Sequence, residues 1–177
     1  MTEPHEQEQE VLSGQAEDTL IEQTELAGFH LEIRDLPEER TARHARALLR
    51  ETLRNAGVDE NDVDDAELAV GELAANAVSY ACGPYEIRFV LVGGRPVWCE
   101  VVDGGTDLAG IPEIFEKLQE AGAAECVPAE VPQDSGHGLA IVHRLSGGLC
   151  KAYPTVVSSA RRPGKAVAFA LPGNGLL

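Results

Sequence analysis

Glu72 and Asn76 stand four residues apart in the run DDAELAVGELAANAVSYA, residues 64–81. On a helix this spacing sets both side chains on one face. A carboxylate beside a neutral amide suits the holding of a hydrated magnesium ion and the polarising of a hydroxyl or water next to a phosphate. The same pair also belongs on the wet side of an amphipathic helix, and the helix taken alone favours that plainer reading. Asp103 ends an apolar stretch and is followed by Gly104 and Gly105. Such glycines let a flat ligand approach the backbone closely. The carboxylate can then accept a hydrogen bond from an exocyclic amine such as adenine carries, an interaction of about 1.5–3 kcal/mol. Gly136-x-Gly138 opens an apolar helical run. There the free backbone N–H groups and the positive helix end suit a phosphate. Each of these three pieces is weak by itself.

Several elements must position them. Phe29, Leu31 and Ile33 alternate with polar residues and mark a strand. Pro37 opens a helix to about residue 55, with Gly57 ending it and Ala45, Leu48, Leu49, Thr52 and Leu53 on its apolar side. His44 on that helix reads as a solvated residue, because no second ligand stands at metal spacing. The helix carrying Glu72 runs from residue 59 or 60 to 81, with Val63, Ala66, Val70, Leu73 and Ala77 forming its packing stripe, and Gly83-Pro84 stops it. Residues 85–92 and 97–103 form a hairpin around Gly93-Gly94. From Thr106 the regular pattern fades. Residues 111–122 form a short helix, and 121–134 read as a long acidic loop, which in a compact domain is functional or disordered. Gly136-His137-Gly138-Leu139 opens a helix (LAIVHRLSGG) that Gly147-Gly148 ends. Strands at 149–159 and 166–171 follow, turning at residues 161–164. Two strands running straight into a hairpin predict an α+β fold, a two-layer α/β sandwich with a mixed sheet and helices on one face.

Composition bounds the rest. The chain of 177 residues has room for one domain and a tail. Residues 1–27, rich in Glu and Gln, read as a disordered acidic tail, with a short amphipathic helix at 11–26 as the alternative. The domain then spans 28–177. Lys and Arg number 14 against 30 Asp and Glu, a formal charge of −16. That field repels nucleic acid, so direct binding to DNA or RNA is not expected, whereas a basic protein partner remains open. No apolar run approaches the roughly 20 residues that cross a bilayer, and no secretory signal opens the chain, so no membrane association and a cytoplasmic location are expected. Cys82, Cys99, Cys126 and Cys150 show no paired spacing and read as small core residues.

Taken in order, the three pieces resemble a known family. Glu72-Leu73-x-x-Asn76-Ala77, Asp103-x-Gly105 and Gly136-x-Gly138-Leu139 are similar to the N box and the two glycine boxes of the ATP-binding domain shared by gyrase, heat-shock chaperones and histidine kinases, the Bergerat or GHKL fold. The small stand-alone branch is the nearest in pattern: bacterial anti-sigma factor serine kinases and the actinobacterial ATP-binding regulators similar to them. Its pattern covers about residues 29–172, including TARHARALLRETL and the closing GKAVAFAL. The resemblance implies ATP and Mg2+ as cofactors. It makes Asn76 the magnesium ligand and Glu72 the catalytic base. It places the adenine amine on Asp103, with Gly105 making room for the base. Gly136, His137 and Gly138 would cradle the phosphates, Leu139 would complete that nucleotide-binding box, and residues 106–135 would form the lid.

The same resemblance implies a regulator that holds a sigma factor and phosphorylates Ser or Thr on an antagonist protein, as a possible homodimer. The alternative is a non-catalytic interaction module with a degenerate or regulatory nucleotide site. Several positions depart from the family pattern. Thr106-Asp107 stands where a second glycine is usual, Tyr80 where His is frequent, and His137 where Arg is frequent. Lys165-Ala166 replaces the Thr that follows the last glycine. Asp103→Asn is expected to weaken adenine selectivity and leave the fold intact.

Overall fold

Alternation decides the sheet, and a small-residue helix decides what lies on it. The computed structural model describes residues 28–123 and 137–173. The expectations for residues 1–27, for Gly136, for Cys126 and for the second half of the lid lie outside them. The described elements are β1 (Phe29–Leu36), α1 (Thr41–Asn55), α2 (Glu60–Tyr80), β2 (Tyr85–Val92), β3 (Arg95–Asp103), α3 (Ile111–Ala123), α4 (His137–Leu145), β4 (Cys150–Val157) and β5 (Arg162–Ala170). The five strands form one sheet in the order β1-β2-β3-β5-β4.

The α+β sandwich with its helices on one face is what the sequence predicts. The sheet itself differs in one respect. Every neighbouring pair is antiparallel, where a mixed sheet was expected. For β1–β2, β2–β3 and β4–β5 the reason lies in the connections. Between β1 and β2 the chain makes two helical passes, so it returns to the sheet reversed, and the two hairpins are antiparallel by construction.

One face of the strands, including Tyr85, Ile87, Phe89, Cys99, Val101, Val167 and Phe169, joins α1, α2 and α4 in a single core. The stripe on α2 is wide because this helix packs against α1, α4 and β3 together. Val63, Ala66, Val70, Leu73 and Ala77 are all buried there, with Ala69 and Ala74 small enough to admit the neighbours. Asp59 caps the helix by accepting from the Asn61 backbone N–H at 3.0 Å.

The outer face carries a second kind of order. Glu86, fully buried, accepts from Arg88 Nη2 at 2.8 Å and from the Ser159 N–H at 2.8 Å, and Arg88 reaches on to Thr155 Oγ1 at 3.2 Å. These bonds tie β2 to the β4–β5 hairpin. Lys151 lies over the rings of Trp98 and Tyr153, 5.1 and 5.0 Å from their centroids.

Other boundaries shift. α1 begins at Thr41 rather than at Pro37, because Arg40 adopts a left-handed φ of 64° that breaks the turn. Thr41 Oγ1 instead donates to the carbonyls of Pro37 and Glu38, at 2.8 and 2.9 Å. β5 begins at Arg162, so residues 162–164 are strand and not turn. Cys99 is buried, but Cys82 is exposed and Cys150 half-buried, so the core reading holds fully for one of these three.

Candidate functional site

Two crossings bring the singled-out residues together. The first is α2 against α4. Gly138 lies in the first turn of α4, and a Cβ there would stand 2.7 Å from Glu72 Oε2 and 3.4 Å from Asn76 Nδ2. Glycine at 138 therefore leaves the space beside both side chains open. Neither Glu72 nor Asn76 makes a hydrogen bond or ion pair among the described residues, so both polar ends are available to a ligand. The first amides of α4 lack helical partners by position. His137 is exposed at this helix end and Leu139 is buried beneath it.

The second crossing is the exit of α2 against the end of β3. After Tyr80 the chain turns through Cys82 and Gly83, and the Gly104 N–H donates to the Cys82 carbonyl at 2.9 Å. Tyr85 adds a bond from its hydroxyl to the Ala81 carbonyl at 2.9 Å. These bonds hold Asp103 beside the last turns of α2. Asp103 is 2% exposed, and its Oδ1 accepts from the Gly105 N–H at 2.8 Å and from Lys165 Nζ at 2.9 Å. A Cβ on Gly105 would sit 2.9 Å from that same oxygen. Lys165 is the register partner of Asp103 across β3 and β5, and it is itself buried.

A cavity of about 290 Å³ lies between these crossings, near the lower end of small-molecule sites. Asn76, Asp103, Gly138 and Leu139 line it. Its apolar wall includes Leu73, Ala77, Ile111, Ile114 and Val167. The exposed Tyr80 stands on the same wall. The segment expected as a lid is in part a helix, α3, which contributes Ile111 and Ile114 here while Phe115 joins the core. Before it, Asp107 Oδ1 accepts from the Ala109 N–H at 2.9 Å, and Ala109 and Gly110 take left-handed φ values of 51° and 72°. The left-handed bend thus comes two to four residues after the position, 106 or 107, where a second glycine is usual.

These residues fit the groups that the sequence implies. A flat base finds apolar walls, a buried carboxylate at their edge and glycines where a Cβ would intrude. A magnesium ion finds an amide oxygen and a carboxylate, few ligands by themselves. No group of three or more His, Cys, Asp or Glu that could hold a metal occurs among the described residues. Phosphate oxygens and water would complete such a shell, as magnesium prefers.

One residue of the site escapes the sequence reading. Lys165 falls between the turn expected at 161–164 and the strand expected from 166, and stands there only as a departure from the family pattern. The alternation Lys165, Val167, Phe169 is the signal that sets it on the core face of a strand.

The fold is a two-layer α+β sandwich with a cavity between helices and sheet. The sequence pattern described as "Histidine kinase-like ATPase domain" matches residues 23–153, and the chain belongs to that family. No curated protein matches the chain. Among solved structures, a chain of the SiaB–SiaC complex from Pseudomonas aeruginosa is similar, with a TM-score of 0.56 and 14% identity over 78% of this chain and 89% of that chain. At that identity the likeness is one of fold.

Proposed function

We propose that the chain binds ATP with magnesium in this cavity and acts in the cytoplasm as an anti-sigma-type regulator that phosphorylates Ser or Thr on an antagonist protein. The carrying observation is that three segments distant in sequence meet at one cavity: Asn76 on α2, Asp103 at the end of β3 and Gly138 on α4 line it, and Glu72 stands beside Gly138. Asp103 accepts from the base amine and Gly105 gives the base room. Asn76 would hold the magnesium, and the Gly136-His137-Gly138-Leu139 box would take the phosphates. The metal supplies charge neutralisation at the transferring phosphoryl group. Glu72 takes the proton of the attacking hydroxyl as that oxygen bonds to the γ-phosphorus. The bond from that phosphorus to the bridging oxygen breaks, and ADP leaves with the electron pair.

The SiaB–SiaC complex pairs two proteins, which supports a protein partner for a chain of this fold. A sigma factor as the held partner, and a homodimer as the working form, belong to the same proposal through the family resemblance. Transfer of label from γ-labelled ATP to candidate antagonist proteins tests it. Glu72→Ala is expected to slow transfer by about 10²–10⁴, the usual worth of a general base. Equal labelling by the variant removes Glu72 from this role.

A second reading, a non-catalytic interaction module, is favoured by Lys165, whose ammonium already sits on the carboxylate meant for the base. Calorimetry with ATP and magnesium separates the two. Heat of binding supports the first reading, and its absence supports the second.

A further inference from the structure

Lys165 is buried, charged and unused by the roles above. Its Nζ lies 2.9 Å from Asp103 Oδ1, which also takes the Gly105 N–H at 2.8 Å. These two donors fill the lone-pair directions of that oxygen, and Oδ2 accepts no hydrogen bond among the described residues. The ammonium has three hydrogens, and Asp103 is its one hydrogen-bond partner among those residues. Both residues line the cavity, next to Ala77, Tyr80 and Val167. The cavity therefore carries an open acceptor and a donor with hydrogens to spare side by side. A desolvated lysine is costly unless its charge is paired and its hydrogens are used. Asp103 meets the first need and only part of the second.

We propose that Lys165 is a specificity-determining residue of the base pocket: it donates to the ring nitrogen adjacent to the amine that Asp103 accepts. The pocket then reads a donor and an acceptor together, the pattern adenine presents at N6 and N1, where a lone carboxylate reads the amine alone. Asp103 Oδ2 takes the amine hydrogen, and Nζ keeps its bond to Oδ1 while turning a second hydrogen to the ring. The inference rests on the nucleotide-site reading and adds a residue to it.

The test compares ATP with 1-deaza-ATP, in which that ring nitrogen is a C–H group. Both are titrated by calorimetry with magnesium into wild type and Lys165→Met. Wild type is expected to bind the analogue about 10- to 100-fold more weakly than ATP, the worth of one hydrogen bond from a charged donor. Lys165→Met is expected to bind both alike. The ratio within one protein is insensitive to a uniform loss of affinity. A wild-type ratio near one overturns the inference, as does an undiminished ratio in Lys165→Met. Should that variant not fold, Lys165→Gln, which keeps a weaker neutral donor, is expected to give an intermediate ratio, and an unchanged ratio there overturns the inference. If ATP itself does not bind wild type, the nucleotide-site reading falls and this inference with it. If ATP binds and the ratio is near one, the inference alone falls.

Discussion

Asp103 does two jobs at once. Its side chain fixes the strand end through the Gly105 amide and neutralises the one ammonium buried on the core face of β5. Asp103→Asn therefore does more than alter the base edge, because it leaves Lys165 charged and desolvated. A stability loss of about 3–5 kcal/mol is expected, the usual cost of removing one partner from a buried pair. The double variant Asp103→Asn/Lys165→Met is expected to recover part of it, since the two effects share one interaction. Urea denaturation of the wild type, both single variants and the double variant checks this, and strictly additive losses would deny the coupling. The expectation of an intact fold is correspondingly narrowed. Glu72, Asn76, Asp103 and Gly138 could be singled out because their types and spacing, taken in order, carry a chemistry that each piece alone carries weakly. Lys165 was not. Lys165 follows Arg-Pro-Gly, the composition of a turn, and only the register with Asp103 shows why a cation belongs there.

At the scale of elements, the sheet is joined by more than its ladders. The β4–β5 hairpin reaches across to β2 through Arg88, which bonds Glu86 and the Val156 carbonyl as well as Thr155 Oγ1. Arg88→Met would leave the fully buried Glu86 with Ser159 as its remaining donor. A loss of about 3–5 kcal/mol is expected, readable as a lower urea midpoint with the far-ultraviolet spectrum retained in buffer. A midpoint within error of wild type would show that the hairpin is held without this tie. Strand alternation and the wide small-residue stripe of α2 made these elements predictable. The start of α1 was not, since the left-handed Arg40 gives no sequence signal, and Pro37 is as much at home before a helix as in its first turn. The antiparallel pairing throughout depends on the path of the chain between strands, a property that local patterns do not carry.

The whole molecule is acidic, and His143 links its stability to pH. Burial lowers the pKa of His143 from its ordinary value of 6.5, while its Nε2 lies 3.2 Å from Gln119 Oε1, bridging α4 and α3. A lowered folded-state value means that the unfolded chain takes up the proton first. This contribution to stability is therefore whole above about pH 7 and is lost as pH falls through 6.5 and below. His143→Gln keeps a polar partner for Gln119 and removes the titration. The wild type is expected to lose more stability than the variant between pH 7.5 and 5.5, measured by urea midpoints at each pH. Parallel losses would exclude His143. Among the described residues no helix is long and apolar enough to cross a membrane.

The buried pair at the base pocket also sets an order of events during synthesis. Asp103 and Lys165 are 62 residues apart, and the lysine belongs to the final strand. While the ribosome is still translating, the nascent helices and first hairpin can collapse, yet the carboxylate must stay hydrated until its counter-charge clears the exit tunnel. Sealing of the pocket thus waits for β5, and fragments that stop short of that strand would lack a finished site.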